Sequence, residues 1–257
     1  MTAVKIDINC DMGESFGPWR MGADELVMPH ITSASVACGA HAGDPSVMRR
    51  TVRLAGQHGV AIGAHPGFAD LQGFGRREIQ VDPAELEDSL IAQIGALSAI
   101  ARAEGAPVQH VKAHGALYNM AARDARLAAA IARAVKACDS SLILFGLPNS
   151  ALLEAGQSEG LRVAAEGFAD RSYEPDGSLT PRSRPGAVVH DADAVAARAV
   201  RMVRDGVVLA ADGRPIDLRV HTICVHGDTP GAADLAASIA TALRGAGVDV
   251  TAIGTWL

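Results

Sequence analysis

The residues of this chain best suited to chemistry stand at the ends of short apolar segments. The first segment, Val4 to Glu14, reads VKIDINCDMGE and carries Asp7, Asn9, Asp11 and Glu14. Three carboxylates and an amide at one strand end repel each other unless a cation, a proton or a donor-rich ligand joins them. Capping of a turn or helix uses one or two such groups, not all four. Similar groups recur downstream: His41 with Asp44, His65 before Pro66, Lys112 with His114, Glu166 with Asp170 and Arg171, and His226 with Asp228. His beside Asp can coordinate a divalent metal or act as a base with its orienter. Asp44 and Asp228 also suit helix caps. A lysine inside the apolar segment at Val111 needs a carboxylate or an anionic ligand to offset its burial. The alternative is an edge-strand lysine facing solvent. His114 and His226 are candidates to protonate a leaving group. Arg76, Arg77, Arg171, Arg182 and Arg184 are candidate clamps for carboxylate or phosphate, with Arg76 and Arg171 in the best contexts.

A repeating framework must position these groups. Val4, Ile6 and Ile8 alternate with polar residues, so Asp7 and Asn9 project from the opposite face of a first strand. Further strands are expected near 34–38, 60–64, 108–113, 142–145, 162–165 and 220–225, with helices between them. Asp44-Pro45 and Asp82-Pro83 read as an N-cap followed by proline at the first helical position, and Gly59 and Gly105 as stops. Leu86, Leu90, Ile94 and Leu97 share one face of the second of these helices. One Ala-rich helix is expected over 117–137, a helix over 192–204, a hairpin turn at Asp212-Gly213, and a last helix opened by Thr229-Pro230. The loop from Gly67 to Arg77 has the length and glycine content of a functional lid, with Phe68 and Phe74 suited to cover a small ring. About seven βα units with right-handed crossovers give a parallel sheet or an irregular barrel, with a doubly wound open sheet as the alternative. In either, the strand ends carry the site.

Composition narrows the class. The chain has 257 residues, 49% hydrophobic and 20% charged, and no linker-like break, which fits one α/β domain over residues 1–257. A net charge of −6 with no Lys/Arg block argues against nucleic acid or an anionic membrane as partner. No apolar run reaches transmembrane length, and the N-terminus reads as a strand rather than a signal peptide. Cys10, Cys38, Cys138 and Cys224 have no CxxC spacing and read as free thiols of a reducing cytoplasm. No phosphate loop or GxGxxG is present.

Six segments in order, IDINCDMGES, ACGAHAGDP, GAHPGFADLQGFGRR, VKAHGALYN, EGFADRSYEPDGSLTPRSRPGA and ICVHGDTPGA, resemble the LamB/YcsF family, whose members serve as A subunits of prokaryotic 5-oxoprolinase. The resemblance implies an irregular seven-stranded (β/α) TIM-like barrel related to glycoside hydrolases and sugar deacetylases. It further implies ATP-dependent opening of 5-oxoproline to L-glutamate with release of ADP and phosphate, alongside the B and C subunits. On the matching positions, Asp7, Asp11, Glu14, His41, His65, Lys112, His114 and His226 are expected to be catalytic. Asn9, Asp44, Phe68, Asp70, Arg76, Tyr118, Glu166, Asp170, Arg171 and Asp228 are expected to bind substrate. The acidic and histidine groups could hold Mg²⁺ or orient water; whether a metal is bound, and whether the chain forms a homo-oligomer, stay open. ATP is expected to be handled partly by the other subunits, because no phosphate-cradling glycine loop is present and an acidic pocket mouth would also repel free nucleotide. Two rival functions remain: a metal-dependent, deacetylase-like hydrolase that needs no ATP, and a substrate-binding component with no chemistry of its own.

Overall fold

The computed structural model describes residues 4–182, 184–227 and 231–257. Ten strands occur among them: β1 Lys5–Met12, β2 Ser33–Ala37, β3 Ala61–His65, β4 Val108–Lys112, β5 Ile143–Gly146, β6 Arg162–Phe168, β7 Val207–Leu209, β8 Pro215–Asp217, β9 Thr222–Val225 and β10 Asp249–Val250. The eight α-helices are α1 Asp24–Val27, α2 Pro45–His58, α3 Pro83–Ala103, α4 Gly115–Ala121, α5 Ala125–Cys138, α6 Ala151–Ser158, α7 Ala192–Arg204 and α8 Ala232–Gly245. Strands β1 to β6 pair in sequence order, β6 pairs with β9, and β9 returns to β1, all in parallel. The β1–β9 ladder closes a seven-stranded barrel and removes the open-sheet alternative. Strand β10 adds to the start of β1, and β7 and β8 form a separate hairpin.

Local sequence explains the helices. Asp44 caps α2 by accepting from the amides of Ser46 and Val47, and Asp82 caps α3 from Ala84. Each helix then lays an apolar stripe on the barrel: Val47, Met48, Val52 and Ala55 on α2, and Leu86, Leu90, Ile94 and Leu97 on α3. The single Ala-rich helix expected over 117–137 is two helices. Alanine propensity favours one continuous helix, but Asp124 turns its carboxylate to the amides of Arg126 and Leu127 and starts α5 afresh. Strand β6 runs on to Phe168, so Glu166 lies within the strand rather than at its end. The expected Thr229-Pro230 helix opening lies outside the described residues.

Alternation along β1 sends Ile6, Ile8, Cys10 and Met12 out to the helices and Asp7, Asn9 and Asp11 into the barrel. The interior is therefore polar at successive depths. Lowest is Asp7, which accepts from Thr32 Oγ1 at 2.7 Å, Ser33 Oγ at 2.6 Å and Thr222 Oγ1 at 2.5 Å. Beside it, His110 meets Ser35 Oγ at 3.2 Å and stacks on Phe145 at 4.3 Å. Gly63 makes room for this ring, since a Cβ there would come within 2.0 Å of His110 Nε2.

Burial, partly offset by the three hydroxyls, lifts the Asp7 carboxyl to about 6. Unfolded aspartate titrates near ~3.9. A raised folded pKa means that the folded chain keeps a proton the unfolded chain has released. The associated stability is present below pH ~4 and is lost as pH rises through about 6, a decline of roughly 3 kcal/mol. Asp7→Asn should remove this decline, as read by urea unfolding at a series of pH values; an unchanged slope would refute the assignment.

Candidate active site

The last residue of β4, Lys112, sets the floor of the site. Its Nζ lies 2.8 Å from Asp11 Oδ1, 2.9 Å from Glu166 Oε1, 3.2 Å from Asn9 Oδ1 and 3.0 Å from Cys224 Sγ. Strands β1, β6 and β9 supply those partners. Asn9 Nδ2 also donates to Glu166 Oε1 at 2.9 Å and to Thr222 Oγ1 at 2.8 Å, which fixes its orientation. Burial works against the Lys112 ammonium, but the charges of Asp11 and Glu166 outweigh it and hold the pKa well above that of free lysine. Burial likewise pushes Asp11 up, and His65 with Lys112 overrides it and holds the carboxyl well below its usual range. Burial raises the Cys224 thiol well above its ordinary value, so this sulfur meets Lys112 as a neutral group.

Beside Asp11 stands a histidine cluster. His65 Nδ1 meets the Lys112 carbonyl at 2.7 Å, and His114 Nε2 meets the Phe74 carbonyl at 2.8 Å. Their other nitrogens face each other, His114 Nδ1 to His65 Nε2 at 2.9 Å. His41 stacks flat on His114 with ring centres 3.7 Å apart. Glu14 Oε1 lies 3.7 Å from His114 Nδ1 and 3.9 Å from His41 Nε2. The loop 67–77 is closed down on these rings. Gly75, at φ +62°, allows this approach, because a Cβ there would lie 2.8 Å from His114 Cδ2. Phe74 packs edge-on to His41 and His114, while Phe68 is buried in the core. Neither phenylalanine lines the open cleft, so the expected aromatic lid is instead a fixed wall behind the histidines.

Across the cleft, His226 Nδ1 meets Asp170 Oδ2 at 2.9 Å and its ring stacks on Phe168 at 5.6 Å. Burial raises Asp170, but His226 and then Arg171 outweigh it and the carboxyl stays below its usual range. A carboxylate that accepts from Nδ1 fixes the tautomer and leaves Nε2 for proton transfer. Arg171 is held by the carbonyls of Thr180 at 2.7 Å and Ala187 at 3.2 Å. Burial, and then the neighbouring charge of Arg182, lower it to about 10. Two adjacent guanidiniums on a cavity wall favour an anionic ligand.

The cleft at the C-terminal end of the barrel has a volume of about 870 Å³. Asp11, His65, Lys112, His114, Tyr118 and His226 form its inner part. Arg76, Arg123, Arg171, Arg182 and Arg184 line its wall and mouth, with Glu78, Glu174 and Asp176 among them. The expectation of an acidic mouth is therefore corrected. The acidic groups Asp11 and Glu166 lie deep against Lys112, because strand residues reach the interior whereas the long arginines come from the loops above.

Several expected site residues stand elsewhere. Asp7 lies below the cleft among its three hydroxyls, and Asn9 and Glu166 are fully buried beneath it against Lys112. Asp44 caps α2 and accepts from Gly17 N at 2.8 Å, away from the cluster. Asp70 binds Arg77 and the amide of Gly73 and thereby folds the 67–77 loop. Asp228 lies outside the described residues. Among the contributors absent from the sequence expectation are Cys224 and the Phe74 carbonyl. Strand alternation with His226 could have placed Cys224 inside, but no residue type announces a carbonyl.

Removing Lys112 should leave two buried carboxylates without a counter-charge. Lys112→Met is expected to cost ~3–5 kcal/mol of unfolding free energy, measured by denaturant titration. Adding Glu166→Gln should recover part of that loss, whereas additive losses would show that the pair is not coupled.

A protein of Syntrophobacter fumaroxidans named as the A subunit of 5-oxoprolinase is 56% identical over 251 residues, spanning 98% of this chain and 99% of its own length. The crystal structure of a lactam utilization protein from Thermus thermophilus matches with TM-score 0.92 and 48% identity, covering 96% of this chain and 99% of that one. A peptidoglycan deacetylase from Bacillus subtilis, with TM-score 0.50 and 12% identity over 99% of this chain and 90% of that one, shares the fold alone. The sequence pattern of the LamB/YcsF family matches residues 6–257, and the chain belongs to that family.

Proposed function

We propose that this barrel opens the 5-oxoproline ring as the A component of a 5-oxoprolinase, acting on a lactam activated by phosphorylation with the help of further subunits. The observation that carries the reading is the pairing of an inner Lys112–Asp11–histidine floor with an arginine-bearing wall in one cleft. The family match and the relatives named as 5-oxoprolinase A subunits support it.

A five-membered lactam is a poor electrophile with a poor leaving group. Phosphorylation of its oxygen makes the ring carbon open to water. Water adds there, the ring C–N bond breaks as the nitrogen takes a proton, and a second water hydrolyses the remaining acyl phosphate to carboxylate and phosphate. His226, held by Asp170, can accept the proton of the first water and return one to the ring nitrogen. Arg171 and Arg182 suit the phosphoryl or carboxylate charge, and Lys112 keeps Asp11 ionised beside the reacting carbon. Tyr118 borders the same space and offers contact area for the ring.

ATP supplies the phosphoryl group of the reaction. Among the described residues the chain has no phosphate-cradling glycine loop: the loop 67–77 lacks a Gly-Lys-Ser/Thr ending and closes on histidines instead. We therefore assign the nucleotide step to the partner subunits, with the arginine wall receiving its product. Mg²⁺ fits this chain poorly. It prefers six oxygen ligands, whereas Asp11 Oδ1 is already taken by Lys112 and the neighbouring donors are imidazoles.

The purified chain with Mg²⁺, ATP and 5-oxoproline should release little glutamate, and addition of the B and C subunits should restore release. Asp170→Asn in the reconstituted complex should lower kcat by at least ~10-fold, as expected when a proton-transfer group loses its orienter. Turnover near ~10 s⁻¹ by the single chain would overturn the division of labour. An ATP-independent release would favour the deacetylase-like alternative.

A further inference from the structure

Among the described residues, two groups of ligand atoms are close enough to surround one ion: Glu14, His41, His65 and His114, and separately Asp11, Cys224 and His226. The second group already has its cation. Lys112 Nζ lies 2.8 Å from Asp11 Oδ1 and 3.0 Å from Cys224 Sγ, in the space a metal would need. In the first group the proton arrangement of the histidines calls for a cation.

The argument turns on which ring nitrogens carry hydrogen. A carbonyl oxygen accepts only, so His65 must bear its proton on Nδ1 to bond the Lys112 carbonyl, and His114 must bear its proton on Nε2 to bond the Phe74 carbonyl. Each neutral ring then presents a bare nitrogen lone pair to the other across 2.9 Å. Two lone pairs at that distance repel unless a cation joins them. A proton could do so only by making one of the two buried rings an imidazolium. A metal ion satisfies both lone pairs while the rings stay neutral. Backbone carbonyls that hold the far nitrogens of two rings are also the usual support of ligating histidines.

His41 is a second, independent pointer. It is buried, and among the described residues neither of its ring nitrogens has a hydrogen-bond partner. An imidazole with two unsatisfied nitrogens in the interior is costly unless a ligand engages one of them. Among the described residues no hydrogen bond engages its ring, which stacks on His114 beside the point that His65 and His114 share. Glu14 faces the same point. Two ligand atoms each ~2.1 Å from one ion lie ~3–4 Å apart. The separations of 2.9 Å between His65 and His114, 3.7 Å from Glu14 to His114 and 3.9 Å from Glu14 to His41 fall at or near this range.

We propose that Glu14, His41, His65 and His114 bind one divalent transition-metal ion of the zinc class. Three imidazoles and one carboxylate suit Zn²⁺, Co²⁺, Mn²⁺ or Fe²⁺ and disfavour Mg²⁺ and Ca²⁺, which take oxygen. His65 and His114 also line the cleft, so the ion keeps a face open to whatever occupies it. Asp11 Oδ1, 3.4 Å from His65 Nε2, lies beside the ion and contributes charge while remaining bonded to Lys112. This proposal does not depend on the lactam reaction, and its test contains no substrate.

The test is metal content and cobalt binding by the full chain. The purified protein is analysed for bound metals, stripped with a chelator, and titrated with Co²⁺ while visible absorption is followed, with Mg²⁺ as a parallel titrant. The expected result is one Co²⁺ per chain with a ligand-field spectrum, displaced by Zn²⁺ and indifferent to Mg²⁺. His114→Gln and Glu14→Gln should each weaken binding by at least ~10-fold, with circular dichroism unchanged, whereas the exposed His58→Gln should not. If one variant fails to fold, the other carries the comparison. A folded chain that takes up no Co²⁺, binding that survives both variants, or a site that prefers Mg²⁺ would overturn the proposal.

Discussion

The interior of this barrel depends on one buried positive charge. The Lys112 ammonium touches Asp11, Asn9 and Glu166, which come from strands far apart in sequence but adjacent around the barrel axis. Without it, carboxylates projecting inward from β1 and β6 would face each other in a medium that screens them poorly. Such a centre is weak evidence for stability, since an apolar filling of the same volume would serve as well or better. Its retention argues that the barrel is built to hold charge at a defined point, and the stability it lacks comes from the apolar layer between strands and helices.

The polar interior is graded along the axis. At the bottom, hydroxyls solvate Asp7 and no group there reaches the cleft. In the middle, Lys112 and Asn9 tie β1, β4, β6 and β9 together through side chains as well as through the ladder. At the top, histidines from β3 and from the loops after β2 and β4 meet under the 67–77 loop. Each layer restricts the rotamers of the next, so the groups that face the cleft are positioned by buried contacts, as a preorganised site requires. The arginines above come from longer, more exposed segments and add charge of the opposite sign. An anion entering the cleft meets guanidiniums first and the fixed centre afterwards.

Much of this was legible from residue order. Alternation in the first strand announced that Asp7, Asn9 and Asp11 share a face, because side chains on a strand point to opposite sides in turn. Asp44-Pro45 and Asp82-Pro83 announced two helix starts, because capping is a local bargain between a side chain and the next amides. The break between α4 and α5 was missed, since the alanine-rich composition favours a helix on both sides of Asp124 and the competing cap is a single residue.

The sequence by itself determined which residues could do chemistry and the strand ends on which they stand, since residue type and period-two alternation are properties of neighbouring positions. Tertiary structure alone decided that Asp7 is a solvated base layer, that Asp44 and Asp70 hold loops, that Cys224 meets Lys112, and that the cleft mouth is lined with arginine rather than acid. It alone set the bare nitrogens of His65 and His114 against each other, because the carbonyls that fix their protons belong to Lys112 and Phe74, residues 47 and 40 positions away from the rings they hold. The physical reason is that depth along a barrel axis, and the partner met there, depend on register between strands remote in sequence, which no local pattern encodes.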